Sequence, residues 1–297
     1  MDDEATRPRR LLDGLLAVLD LTPHGTDDRG QDVFTAPSQP QPHGRVFGGQ
    51  VLGQTVMAAG RTVEPGRPVH SMHGYFLRPG DPTQDITFTV ERLRDGRSFS
   101  ARRVHAIQSG KPILSMIASF QHDDPGLDHQ DRMPDVPDPE SLPTSSQVLR
   151  HIDHPVARYW AQSRPIDVRH VQTPLYLDAG EERVARQAVW MKAVAPMPDD
   201  PLLHRAVLGY ASDFSLLESV LRRHGLTWTM PGLKVASLDH AMWWHRPARA
   251  DEWILYVQNS PSATGARGLG VGRMFTKDGR LVASVAQEGM LRVPPRG

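Results

Sequence analysis

Val69-His70-Ser71-Met72-His73-Gly74-Tyr75-Phe76-Leu77-Arg78-Pro79 is answered far downstream by Ser237-Leu238-Asp239-His240-Ala241-Met242-Trp243-Trp244-His245-Arg246-Pro247. Aligned on Arg-Pro, Tyr75-Phe76 falls on Trp243-Trp244. A second pair of stretches follows in the same order: Gly110-Lys111-Pro112-Ile113-Leu114-Ser115-Met116-Ile117-Ala118 is echoed by Gly279-Arg280-Leu281-Val282-Ala283-Ser284-Val285-Ala286-Gln287. In this register Val69 corresponds to Ser237 and Ala118 to Gln287. One structural unit is therefore written twice, and only the second copy has a hydroxyl and an amide at these positions. That pattern predicts two similar units and one site per chain.

The rest of the composition narrows the class. At 297 residues the chain has room for two units of ordinary domain size. Lys plus Arg equals Asp plus Glu at 34 each, so no global field favours nucleic acid or an acidic membrane. There is no cysteine, which excludes disulfides, a thiolate nucleophile and sulfur-ligated metals. Met1-Asp2-Asp3-Glu4 is acidic and lacks the basic, then apolar, pattern of a secretory signal. No stretch approaches the roughly 20 apolar residues of a membrane helix, and Pro294-Pro295-Arg296-Gly297 is not a peroxisomal address. The expectation is a soluble cytoplasmic protein with no membrane insertion and no nucleic-acid partner.

Leu11, Leu12, Leu15, Leu16 and Leu19 repeat at helical spacing and predict a short amphipathic N-terminal helix. Gly48-Gly49 opens a second helix, rich in small residues, over 51–63. Strand-like runs follow near 69–77, 84–93 and 98–121, separated by Pro-Gly and Asp-Gly turn signals. Between 122 and 180 the chain is rich in Pro, Asp, Ser and His, which reads as a crossover with one short helix. The second unit is expected as a strand at 186–195, a helix at 202–224, and strands near 234–246, 252–260, 267–276 and 280–291. The domain expectation is thus a first unit over 1–125, a linker over 126–180 and a second unit over 181–297.

Three residues of the second unit could carry chemistry. The stripe Leu203, Val207, Tyr210, Phe214, Leu217 and Leu221 makes 202–224 a core helix, and Asp213 falls inside it, on the packed face. A buried carboxylate there either caps or pairs locally, or has a tuned environment for orienting and deprotonating water. Ser237 begins the strand leading into Trp243-Trp244 and, alone, reads as no more than a tolerated small polar strand residue. Gln287 follows an apolar run and is either exposed at a strand end or buried with partners for its two donors and one acceptor. Together the three could hold a water while Asp213 takes its proton. No Gly-x-Ser-x-Gly elbow supports an acyl-enzyme route. A metal site has no support either: His240 and His245 are expected on opposite faces of one strand, as are His70 and His73. His70 is retained as a candidate site-lining residue.

Several longer motifs appear in one order: Val46-Phe47-Gly48-Gly49-Gln50, His70 to Gly80, Arg94-Asp95-Gly96-Arg97-Ser98-Phe99-Ser100-Ala101-Arg102-Arg103, Gly209-Tyr210-Ala211-Ser212-Asp213 and Leu238-Asp239-His240-Ala241-Met242-Trp243. Over residues 10–292 the chain resembles the type II acyl-CoA thioesterases, the TesB-like family. The resemblance implies an α+β double hotdog fold, two tandem units each with an antiparallel sheet wrapped around a long helix. It implies that Asp213, Gln287 and Ser237 are catalytic, with Ser237 standing where bacterial members often have threonine. It also implies hydrolysis of acyl-CoA to a carboxylic acid and CoA by direct attack of water. No cofactor is then expected, since CoA is part of the substrate, and the chain is expected to form a homo-oligomer, a dimer or a dimer of dimers. Backbone N–H groups at Gly48-Gly49 are candidates for holding the oxyanion, with a tight turn and close packing as the plain alternative. Arg267-Gly268 and Arg102-Arg103 are candidates for CoA phosphates, against a purely solvating role. Two rival functions are a hotdog enoyl-CoA hydratase or dehydratase, against which Asp239 and His240 stand adjacent, and a non-catalytic acyl-CoA sensor, against which all three polar residues are present.

Overall fold

A computed structural model describes residues 6–42, 44–153, 155–176 and 178–294. Helix α1 (Arg7–Leu19) buries Leu12, Leu15, Val18 and Leu19, the stripe that the leucine spacing predicts. Strands β1 (Thr22–Thr26) and β2 (Asp32–Ala36) lead to α2 (Gly48–Gly60), which is buried on every side from Gly49 to Ala59. Burial all round marks a central helix, so its polar residues need internal partners. Gln54 accordingly donates to the Val18 and Pro37 carbonyls at 2.9 and 3.0 Å. Strands β3 (Val69–Phe76), β4 (Ile86–Asp95), β5 (Phe99–Gln108) and β6 (Lys111–Gln121) wrap this helix.

After α3 (Ser145–Leu149) and α4 (Pro155–Gln162), the second half repeats the scheme. It has β7 (Ile166–His170), β8 (Arg186–Ala193), α5 (Pro201–Ser212), α6 (Glu218–His224), β9 (Lys234–Ser237), β10 (Asp239–Trp244), β11 (Ile254–Thr264), β12 (Arg267–Thr276) and β13 (Leu281–Arg292). One antiparallel sheet joins both halves in the order β1-β2-β4-β5-β6-β3-β10-β13-β12-β11-β8-β7, with β9 continuing alongside β13. The order is the same read from either edge inward, and the seam is β3 against β10, where Met72 faces Met242. Behind the seam α2 and α5 run antiparallel in close contact: Gly49 meets the Tyr210 carbonyl, Gly53 that of Ala206, and Gly60 the Leu202 side chain. A single apolar cluster takes residues from both halves, Leu52 and Val56 with Ala206 and Leu208. This is a double hotdog.

The ladders carry the repeat to single residues. Shifting β3 onto β10 by 168 residues and β6 onto β13 by 169 turns the pair Gly74–Met116 into Met242–Val285, and both pairs are in register. The irregularity repeats too. Val69 pairs with Phe120 and Ser71 with Ser119, which leaves His70 as one extra residue in β3. Ser237 pairs with Gly289 and Ala241 with Ala286, again one residue too many, at Leu238 between β9 and β10. A β-bulge of this kind lets residues three apart share a face, which simple alternation forbids. Val69 and Met72 therefore both face the core, as do Ser237 and His240 in the second copy.

Four expectations change. The 98–121 run is a hairpin, turned at Ser109-Gly110 with φ values of 49° and 72°, both in the left-handed region. The stretch read as a linker holds α3, α4 and β7, and β7 pairs with β8 at the sheet edge as β1 does with β2. The 202–224 helix is two helices, broken after Ser212. The bulge places His70 on the outer face beside His73: it bonds Ser119 at 2.8 Å and lies edge-on to the exposed Phe99. Among the described residues no helix is long and apolar enough to cross a membrane.

Candidate active site

Helix α5 ends because its last turn is clamped from three sides. The Ser212 hydroxyl lies 2.8 Å from the Gly209 carbonyl and 2.8 Å from His240 Nε2. Tyr256 on β11 donates its hydroxyl to the Ser212 carbonyl at 3.2 Å, satisfying an acceptor that the helix leaves open. Asp213 is then the C-cap residue (φ −86°, ψ −1°), at the break between the helices and not inside a continuous stripe. A helix C-terminus is an unfavourable place for a negative charge. The compensation comes from the other half, where the start of α2 lies against the Asp213 carboxylate and the Gly49 N–H pulls its pKa down.

This approach requires the two glycines. A Cβ on Gly48 would lie 2.7 Å from Asp213 Oδ2 and 3.0 Å from the Phe76 ring; one on Gly49 would lie 2.2 Å from the Tyr210 carbonyl. The N-cap of α2 is Phe47, which has no side-chain acceptor to cap the helix, so the first N–H groups stay available.

Asp213 and Ser237 are partly accessible, while Gln287 is buried in the middle of β13 and not exposed at a strand end. Gln287 Nε2 donates to Asp213 Oδ1 at 2.6 Å and to Ser237 Oγ at 2.6 Å, and the Ser237 hydroxyl donates to the same Asp213 oxygen at 3.3 Å. The three side chains close a ring of hydrogen bonds. Desolvation pushes the Asp213 carboxyl up to about 6, against the lowering pull of Gln287, the Gly49 N–H and Ser237. A carboxylate titrating there is ionised at neutral pH yet basic enough to take a proton from water.

The fold thus brings together Asp213, Ser237, Gln287, Gly48 and Gly49. Gly268 lies two strands from Ser237, in the row Gly268–Gly289–Ser237, where its missing side chain makes room for Val220. Arg267 is at the surface, paired with Glu288 at 3.0 Å. Arg102 is buried and bonded to Thr62 and Asp95, Arg103 pairs with Glu91, and His70 sits on the outer face of the sheet, so none of these three reaches the cluster. Asp239 turns outward to accept the Glu288 N–H at 2.7 Å while His240 turns inward, so the two do not share a cavity.

Beside them stand His240, Ser212, Tyr256 and an aromatic wall that no spacing in the sequence marks. Phe47 stacks on Phe214 at 5.0 Å, Tyr210 meets both edge-on, and the Arg164 guanidinium lies 4.6 Å from the Phe214 ring. The repeat held a signal for His240, because its counterpart in the first copy is the apolar Met72.

Comparison with known proteins gives this arrangement a context. Residues 162–290 match a family model described as acyl-CoA thioesterase, and residues 36–121 match one described as acyl-CoA thioesterase N-terminal domain. The chain is 40% identical over 294 residues to human acyl-coenzyme A thioesterase 8, covering 95% of this chain and 91% of that protein. The crystal structure of acyl-CoA thioesterase II TesB2 from Mycobacterium marinum is similar at a TM-score of 0.75 and 42% identity, covering 94% of this chain and 98% of that one. A hot dog fold protein from Alicyclobacillus acidocaldarius superposes at a TM-score of 0.76 with 18% identity over 95% and 99% of the two chains, a likeness of fold alone.

Proposed function

The chain belongs to the acyl-CoA thioesterase family, and on that premise we propose that it hydrolyses acyl-CoA to a carboxylic acid and CoA at the Asp213–Gln287–Ser237 cluster. A water bound at the accessible edge of Asp213 and Ser237 loses a proton to the Asp213 carboxylate as its oxygen attacks the thioester carbonyl. Gln287 holds the carboxylate and the serine in one orientation by giving each a proton of its amide. The tetrahedral oxyanion then collapses, the carbon–sulfur bond breaks and CoA leaves as a thiolate. A thiol of pKa about 8.5 is a good leaving group and needs little acid assistance. The products are complete with water alone, so the reaction calls for no cofactor.

The two N–H groups expected to hold the oxyanion, those of Gly48 and Gly49, lie at the uncapped start of α2 against Asp213. Neither has a backbone acceptor among the described residues, so both are at hand for the oxyanion. The observation that carries the reading is the ring of three hydrogen bonds closed around a partly accessible carboxylate at an uncapped helix start.

The test is thiol release from acyl-CoAs of increasing chain length by the wild-type chain and by Asp213→Asn. Loss of about 10²- to 10⁴-fold in kcat with the fold intact is the expected result for removing a general base. Full activity in the variant would refute the site, and no hydrolysis of any acyl-CoA by the wild type would refute the activity.

A further inference from the structure

Strands β11 and β12 repeat β4 and β5 at a constant shift of 168 residues: the pairs Phe88–Ala106 and Val90–Val104 become Tyr256–Met274 and Gln258–Gly272, all in register. The irregularity recurs as well, between Arg92 and Arg94 in the first copy and between Asn259 and Ser262 in the second. On this common frame the inward residues differ. Phe88, Val90 and Val104 lie in the apolar cluster around the unbroken α2, and the second copy has Tyr256, Gln258 and Gly272 in their places. The polar groups gained go to the helix break. The Tyr256 hydroxyl donates to the Ser212 carbonyl at 3.2 Å, and Gln258 Nε2 donates to Ser215 Oγ at 2.7 Å, so the main chain is held on both sides of Asp213. The side chains lost make the room. A Cβ on Gly272 would lie 2.3 Å from the Tyr256 ring, and one on Gly270, where the first copy has Arg102, would lie 2.8 Å from the Leu216 carbonyl oxygen. The ring and the broken helix are both seated directly on the β12 backbone.

Tyr256 and Gln258 are fully buried, so neither polar group can turn to solvent for a partner. The Tyr256 contact reaches the reacting carboxylate because the Ser212 carbonyl and the Asp213 nitrogen belong to one rigid peptide plane. Holding its oxygen fixes the plane from which Asp213 projects, and with it the reach of the carboxylate to Gln287 at 2.6 Å and to Ser237 at 3.3 Å. We infer that Tyr256 is a positioning residue for the reaction: its hydroxyl holds the Ser212–Asp213 peptide so that the carboxylate stays in the ring with Gln287 and Ser237, and Gln258 braces the chain on the far side. The inference rests on the catalytic reading of Asp213. Phe88 shows what the same scaffold carries where packing alone is required, a ring of the same shape without the oxygen.

Tyr256→Phe writes the first copy's residue into the second and removes one oxygen atom from a ring that keeps its place. With the acyl-CoA that the wild type hydrolyses fastest, kcat is expected to fall about tenfold at unchanged KM, because a displaced base loses its alignment with the attacked carbonyl while the contacts that bind the substrate are kept. Asp200→Ala, which removes the cap at the opposite end of α5, is the control for lost stability alone and should keep the wild-type kcat. A wild-type kcat in Tyr256→Phe, a loss appearing in KM instead, or an equal fall in Asp200→Ala would each overturn the proposal. Should Tyr256→Phe not fold by circular dichroism, Gln258→Met carries the test: a severalfold fall in kcat at constant KM supports the clamp, and no change overturns it. Asp213→Asn assayed alongside keeps the two readings apart. If it stays active, the site itself is wrong; if it is inactive while Tyr256→Phe keeps the wild-type kcat, only the clamp is wrong.

Discussion

The two halves share a fold and a bulge, yet they differ at the same three inward positions. The first half has Val69, Met72 and Ala118, and the second has Ser237, His240 and Gln287. Their central helices differ in a complementary way. Helix α5 starts with a conventional cap, Asp200, whose carboxylate accepts from the Leu202 and Leu203 N–H groups, whereas α2 starts uncapped at Phe47. Conversely, α2 runs unbroken while the second half breaks its helix at Asp213. The first half brings an uncapped helix start, the second brings the side chains, and the two come together across the α2–α5 contact.

The strongest way to break this contrast is to make the second copy resemble the first. Gln287→Ala, the residue that the first half has at Ala118, is expected to reduce kcat by about 10²- to 10³-fold, since it removes a preorganised donor from the reacting carboxylate. Thiol-release kinetics check this, and retention of the wild-type rate would show that the difference between the copies is decorative.

A smaller effect sharpens the comparison through stability. Burial holds the folded Asp213 carboxyl at about 6, against about 3.9 in an unfolded chain. Between these values the folded state binds the extra proton, so this group's contribution falls as pH rises from 4 to 6 and stays low above that, by about 3 kcal/mol in all. Asp213→Asn should therefore match the wild type in urea denaturation at pH 4 and exceed it by about 2–3 kcal/mol at pH 8. Equal stability at both values would mean that Asp213 costs the fold nothing. The smallest effect belongs to the conventional helix start. Asp200→Ala should lower stability by about 1 kcal/mol through loss of the cap while leaving kcat unaltered, as thermal melting and the same assay would report.

The duplicated stretches were legible to the residue, because a repeat carries its own register: the shifts of 168 and 169 read from Arg-Pro and from Gly110/Gly279 are those of the ladders. Asp213, Ser237 and Gln287 were legible as polar residues in apolar surroundings. What escaped had no periodic signature. β1 is Thr22-Pro23-His24-Gly25-Thr26, exposed throughout, and offers no alternation to detect. The helix break at Ser212 interrupts an apolar stripe that continues on both sides of it, because tertiary clamps from His240 and Tyr256 end the helix and no local stop signal does. His70 takes the face opposite to the one strict alternation predicts, because a bulge is invisible to period-two counting.

That bulge also sets the parity of everything on one side of it. Leu238 contributes little through its own identity: its backbone N–H goes to the Glu288 carbonyl and its carbonyl accepts from the Phe76 N–H. What it contributes is an odd count. With it, Ser237 reaches Asp213 while Trp243 and Ala241 keep the outside of the sheet; with one residue fewer, strict alternation would turn the hydroxyl away from the carboxylate. The facing of the serine hangs on a number that is either odd or even, and the first copy, with Val69 in place of the serine, carries the same odd count at His70.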